Sequence, residues 1–101
     1  MNRFHASSLA LALALASGSA TAGDATAGQA KYAGCGGCHG MDGVSLTPDV
    51  NPSVKGLSAD DVKAKLAGYK DGSIQHPTMN AMAAGLSDDD IGNLAAYIGT
   101  L

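Results

Sequence analysis

One five-residue motif, Cys35-Gly36-Gly37-Cys38-His39, constrains this chain more than any other part of its sequence. The C-x-x-C-H spacing is that at which two thiols add to the vinyl groups of a haem while the next histidine reaches the iron. Two intervening residues place both sulfurs on the same side of the porphyrin edge. The motif therefore predicts one covalently attached haem c, with Cys35 and Cys38 forming the thioethers and His39 binding the iron.

Three other uses of the motif compete with haem attachment. A zinc site needs about four protein ligands, whereas this chain offers one cysteine pair, His39 and a distant His76. A thioredoxin-like redox pair lies in a βαβ unit, and the chain has no convincing strand with period-two alternation. A short-loop disulfide between Cys35 and Cys38 is the remaining alternative.

The N-terminal segment has the pattern of an export signal. Arg3 and His5 precede an apolar run from Ala6 to Ala16, and Ala20-Thr21-Ala22 is a small-x-small cleavage pattern. The run has about half of the roughly 20 apolar residues that a spanning helix needs, so no membrane anchor is predicted. We expect a signal peptide at residues 1–22, one domain at residues 23–101, and a periplasmic protein.

The predicted mature chain is poor in the large side chains that fill a core. It has 79 residues, no Trp, three Tyr, and no Phe, since Phe4 lies in the signal. A domain of this size is only marginally stabilised by its apolar core, so a large flat prosthetic group would supply the missing bulk. Its five Lys against nine Asp give a net charge of −4, which disfavours nucleic-acid binding.

Capping signals and apolar spacing predict three helices and an all-α fold. Thr26-Ala27-Gly28-Gln29 fits a capping box and opens a short helix to about Ala33. The second helix starts at Ser58 and ends in the turn at residues 71–73, and the third starts at Ser87 and stops at Gly99.

Two segments are predicted to be loops. Residues 40–56 are rich in Gly, Pro, Asp and Ser, and this loop would wrap around His39. Residues 74–85 contain Pro77, which favours an extended backbone at His76.

Three blocks of sequence resemble the small class I cytochromes c of bacteria, over nearly all of residues 24–101. The blocks are Gly28-x-x-x-Tyr32 leading into the motif and Gly-Met-Asp-Gly43, then Leu66-Ala-Gly-Tyr-Lys-Asp-Gly-Ser73, and then Gly85-Leu-Ser-Asp-Asp-Asp-Ile91 with Leu94-Ala-Ala-Tyr97. The resemblance implies a small cytochrome c fold, with three or more short helices and long loops around one covalently attached haem.

The resemblance also implies that a Met before the last helix is the distal ligand of the iron. The family's ligand often lies eight residues before the capping Ser, and that count from Ser87 gives Met79, with Met82 as the runner-up. Met41 is only two residues past the proximal histidine and so is tied to the wrong side of the ring. His76 would be the ligand in a bis-His alternative.

Further pocket residues are expected around these ligands. By the resemblance, a Pro carbonyl accepts the second ring N–H of the proximal His; Pro52 is the match and Pro48 the alternative. The first and last helices are expected to cross where Gly28 approaches Tyr97. Without its cofactor, the domain is expected to enclose an apolar cavity bounded by His39, Pro52, Val54, Met79 and Leu94.

The function predicted from the motif and the resemblance is one-electron transfer between redox proteins, which dock transiently on a monomeric carrier. One alternative is a dedicated electron-entry subunit of a periplasmic dehydrogenase or oxidase. Another is a haem-based ligand sensor, disfavoured by the two Met residues before the last helix. The sequence contains no second haem motif and no catalytic constellation, so an enzyme is not predicted.

Overall fold

A computed structural model describes residues 23–101, where the backbone forms four helices and no strand. This confirms the predicted all-α class. The predicted signal peptide at residues 1–22, with its cleavage after Ala22, lies outside the described residues. The helices are α1 (Ala25–His39), α2 (Ala59–Asp71), α3 (Pro77–Ala84) and α4 (Asp88–Ile98).

Helix α1 is longer at both ends than the sequence predicted. Its N-cap is Asp24, whose carboxylate accepts hydrogen bonds from the N–H groups of Thr26 and Ala27 at 2.9 and 3.2 Å, so the predicted cap at Thr26 is wrong. The predicted end near Ala33 is also wrong, because the helix continues to His39. It stops at Gly40, whose φ of +88° suits glycine. The motif therefore lies within the last turns of α1.

The crossing of α1 over α4 places the motif relative to the rest of the domain. Gly28 lies directly against α4, since a Cβ there would overlap the Asn93 carbonyl and stand 2.9 Å from Tyr97 Cβ. One turn further on, the Tyr32 and Tyr97 rings pack at a centroid distance of 5.5 Å. The expected close approach of Gly28 to Tyr97 is confirmed.

The starts of α2 and α4 agree with the sequence prediction. Ser58 Oγ accepts a hydrogen bond from the N–H of Asp61 at 3.1 Å. At α4, Ser87 Oγ accepts from the N–H of Asp90, and the Asp90 carboxylate accepts from the N–H of Ser87, both at 3.0 Å. This reciprocal capping box satisfies two backbone donors, and the bond from Ser87 lowers the pKa of Asp90 below its ordinary value.

Helix α3 occupies most of the segment that the sequence predicted as the loop 74–85, and that prediction is wrong. His76 has the extended backbone expected before a proline, with φ −153° and ψ 106°, and serves as the N-cap. Pro77 is the first helical residue, a position where its missing N–H costs nothing and its fixed φ suits a helix. The proline therefore starts a helix here.

The core is small and depends on α4. Buried apolar residues come from all four helices, but α4 contributes most of them, and within residues 23–101 only Tyr32 and Leu94 are large and fully buried. The buried set is Tyr32, Val62, Ala83, Ile91, Leu94, Ala95 and Ile98. Between residues 23 and 101 no helix is both long and apolar enough to cross a membrane.

The α1–α4 crossing yields a prediction with a control on the same helix. Gly28→Ala should lower the free energy of unfolding by about 1–3 kcal/mol, because its methyl group meets the α4 backbone. Gly34→Ala should raise it by up to about 1 kcal/mol, since position 34 has open space and alanine favours a helix. Chemical denaturation of the purified variants measures both. If both substitutions changed the free energy of unfolding by the same amount, the close approach of α1 to α4 at Gly28 would be contradicted.

Candidate functional site

The motif residues share the C-terminal end of α1. Cys35 precedes Cys38 and His39 by three and four positions, so all three side chains leave the helix from one face. Cys35 is half-buried and Cys38 is exposed. Both thiols are free, so the short-loop disulfide is not formed in this structure.

The thiols lie where a redox-active cysteine is disfavoured. Reactive C-x-x-C thiolates are stabilised at helix N-termini, whereas Cys35 and Cys38 lie at the negative end of the α1 dipole. Burial, and then the charge of Cys38, raises the pKa of the Cys35 thiol. In residues 23–101 no three His, Cys, Asp or Glu side chains are grouped to hold a metal ion. Both findings weigh against the thioredoxin-like and zinc interpretations.

The ring of His39 is oriented by the loop that follows α1. Its Nδ1 lies 2.6 Å from the carbonyl oxygen of Pro52, and not of Pro48. A carbonyl oxygen can only accept, so Nδ1 carries the proton in this hydrogen bond. In the tautomer with this proton on Nδ1, the lone pair lies on Nε2, the nitrogen through which such a histidine binds a metal.

Tyr32 stabilises the turn next to His39, a role that the sequence did not reveal. Its buried hydroxyl donates a hydrogen bond to the Gly40 carbonyl at 2.7 Å. Burial, and then the nearby Cys35, raises the pKa of Tyr32. The one sequence signal for this role is the position of Tyr32, three residues before Cys35, which does not identify the acceptor.

The candidates for a distal ligand lie on or beside α3. Met79 is half-buried, and Met82, one turn later on the same face, is 51% exposed. His76 Nδ1 accepts the N–H of Met79 at 3.2 Å, so its ring caps α3. The Met41 sulfur packs instead against Gly36, on the last turns of α1.

Asn80, which no sequence pattern marks, fixes α3 beside α2. Its side-chain NH₂ donates to the carbonyls of Tyr69 and Ile74, each at 2.8 Å, and its side-chain oxygen accepts from the N–H of His76 at 2.8 Å. Asn80 therefore places the first turn of α3, including Met79.

The other predicted pocket residues fall into two groups. Leu94 is buried in the core and Val54 packs against the same cluster, while Pro52 is exposed beside His39. A shallow cleft of about 390 Å³ lies elsewhere, between α2 and α4, lined by Ala67, Lys70, Asp71, Asp88 and Ile91. The cavity expected around His39, Pro52, Val54, Met79 and Leu94 stays a prediction.

The side chains present fit a haem. Two free thiols and a histidine with an available Nε2 supply the attachment and one iron ligand. Large apolar side chains are exposed as well, four of them within residues 41–50, the segment that follows the motif in the chain. The exposed set is Met41, Val44, Leu46, Val50, Ile74 and Met82.

Comparisons with known proteins agree with this fit. Residues 25–101 match the family model described as "Cytochrome c". The chain is 43% identical over 79 residues to cytochrome c-554(548) of Halomonas halodenitrificans, covering 75% of this chain and 94% of the relative. It is 37% identical over 97 residues to cytochrome c-553 of Nitratidesulfovibrio vulgaris, covering 93% and 92%.

Among solved structures, the fold resembles reduced cytochrome c4 from Pseudomonas stutzeri, with a TM-score of 0.71 and 26% identity. The match covers 79% of this chain and 52% of that one. The present chain therefore spans about half the length of that protein.

The Tyr32 contact yields a prediction that depends on pH. Tyr32→Phe should lower the free energy of unfolding by about 0.5–1.5 kcal/mol at neutral pH, because it removes the bond to Gly40. Since the folded-state pKa of Tyr32 is raised, its contribution is present below the ordinary tyrosine pKa of about 10 and is lost as the pH rises through the raised value.

Denaturation at several pH values measures this difference. Tyr69→Phe is the control, because the described residues contain no hydrogen-bond partner for its hydroxyl, and it should change stability by less than about 0.5 kcal/mol. An equal loss in both variants, or a Tyr32→Phe effect that grows at alkaline pH, would contradict the role of Tyr32.

Proposed function

The chain belongs to the cytochrome c family, and from that premise we propose that it is a periplasmic one-electron carrier whose haem iron is bound by His39 and Met79. The cofactor is one covalently attached haem c, which supplies a one-electron iron couple. Cys35 and Cys38 would form its thioethers. The observation that carries the proposal is the Nδ1 contact of His39 with Pro52, which leaves Nε2 free one residue after the cysteine pair.

Met79 is the proposed distal ligand because its surroundings separate it from the other candidates. His76 uses Nδ1 to cap α3, which gives its ring a structural role. Met82 is more exposed than Met79 and lies outside the turn that Asn80 anchors. The eight-residue spacing from Met79 to Ser87 supports the same choice.

A pair of protein ligands determines what the site can do. His39 and Met79 would together hold the iron from this chain, leaving substrate no place to bind it, and methionine in place of a second histidine would raise the potential. Electron transfer through brief docking then needs only a small interface. A ligand sensor would instead need an open distal position.

Export to the periplasm would follow from the predicted signal peptide. Gly23 packs against the Gly92 backbone of α4, and the N–H of Asp24 donates to the side-chain oxygen of Asn93 at 2.9 Å. A cleavage after Ala22 leaves these contacts intact. The mature protein would be a monomer that docks transiently with redox proteins, and co-purification with a dehydrogenase or oxidase would favour the subunit alternative.

The ligand assignment is tested with two matched variants of the haem-loaded protein. A methionine sulfur on ferric iron gives a weak absorption at the red edge of the spectrum. This band should disappear in Met79→Ala and persist in Met82→Ala, because only the first variant loses the ligand. Added carbon monoxide should bind the reduced Met79→Ala protein and not the unaltered one, whose iron has no free position.

Other results would correct the proposal in defined ways. The reverse pattern in the two variants would transfer the role to Met82. Absence of the band in the unaltered protein would point to His76. Carbon monoxide binding to the unaltered protein would favour a sensor over an electron carrier.

A further inference from the structure

We infer that Ser45 and Ser53 are positioning residues for His39, because they hold the Pro52 carbonyl where it fixes the Nδ1 proton of the ring. The inference rests on the proposed haem function and extends it to residues outside the motif. Through the His39–Pro52 hydrogen bond, the two serines would adjust the reduction potential of the iron.

Pro52 needs such support because of its own chemistry. A proline has no backbone N–H, so this residue cannot be held through its amide, and its side chain is exposed. The next residue supplies the anchor, since Ser53 Oγ accepts a hydrogen bond from the N–H of Ser45 at 2.9 Å. The position of the Pro52 carbonyl therefore depends on Ser45.

Ser45 is itself fixed to the haem-attachment motif. It is 7% exposed, and among residues 23–101 it is the buried polar residue. Its Oγ donates to the Cys38 carbonyl at 3.4 Å and accepts from the N–H of Thr47 at 3.0 Å. The Cys38 carbonyl is one of the last four of α1, which lack partners within the helix.

These contacts form a closed circuit of covalent and hydrogen bonds that includes His39. Cys38 and His39 are joined by a peptide bond, His39 is hydrogen-bonded to Pro52, Pro52 is joined to Ser53, and Ser53 contacts Ser45, which returns to Cys38. Two further hydrogen bonds lie beside this circuit, from the N–H groups of residues 54 and 55 to the Gly43 carbonyl. Loss of the Ser53 hydroxyl breaks this circuit at its contact with Ser45, and loss of the Ser45 hydroxyl breaks it at the Cys38 carbonyl.

The direction of the expected change follows from the hydrogen bond. A strong bond from Nδ1–H to a carbonyl raises the basicity of the ring as a ligand. A more basic ligand stabilises ferric iron relative to ferrous iron and lowers the potential. Loosening Pro52 weakens the bond, so the potential should rise.

The test compares Ser53→Ala with Ser53→Thr in the haem-loaded protein. Ser53→Ala should raise the reduction potential and cause loss of the slowly exchanging His39 Nδ1–H signal in NMR spectra of the reduced form. Ser53→Thr keeps the oxygen, and its extra methyl has room because position 53 is exposed. Ser53→Thr should therefore keep the reduction potential and the His39 Nδ1–H signal of the unaltered protein. Ser45→Ala should act in the same direction as Ser53→Ala.

Ser73→Ala is the matched control. The Ser73 hydroxyl also donates to a helix carbonyl, that of Gly68 at 3.5 Å, but at the end of α2. It should leave the potential and the His39 signal unchanged. Unchanged values in Ser53→Ala and Ser45→Ala, or equal shifts in Ser73→Ala, would overturn the inference. A failure of the proposed function would instead be seen in the unaltered protein, as haem without His39 ligation.

Discussion

The close crossing of α1 and α4 at Gly28 is the contact on which the remaining structure depends. Helix α1 ends in the attachment motif, so the angle and depth of this crossing determine where both thiols and His39 lie. Helix α4 is also the element against which α2 packs, and α3 is reached through α2. A side chain at position 28 would separate the motif from the half of the domain that carries Met79.

The small core explains why a domain of this composition would need its cofactor. Tyr32 and Leu94 are the large residues that the described structure buries completely, and four large apolar side chains are exposed within residues 41–50. A large apolar cofactor attached at the motif would add the bulk that this core lacks. The polar contacts of His39 with Pro52 and of Tyr32 with Gly40 would hold the surrounding loop in place.

The features that the sequence predicted are those with a local chemical cause. Ser58 and Ser87 cap helices because their hydroxyls accept nearby N–H groups, and Gly72 ends α2 with a φ of +83°. The sequence does not predict the extension of α1, because glycines disfavour a helix. In the structure Met41 packs on Gly36, and the Tyr32 hydroxyl holds the Gly40 carbonyl at the end of the helix. The sequence predicts a loop in place of α3 because Pro77 favours an extended backbone at the residue before it, although Pro77 itself occupies the first helical position. The Ser45 and Ser53 contacts join residues of an irregular loop, where no periodicity reveals them.

The central claim is that haem attached at the motif completes the core of this domain. The most direct measurement is thermal unfolding, followed by circular dichroism, of the haem-loaded protein and of a Cys35→Ala/Cys38→Ala variant. We expect a cooperative transition for the loaded protein and little folded haem protein from the variant, since a ligand that binds only the folded state stabilises it. Recovery of the variant as a haem-free domain with the same cooperative transition would contradict it.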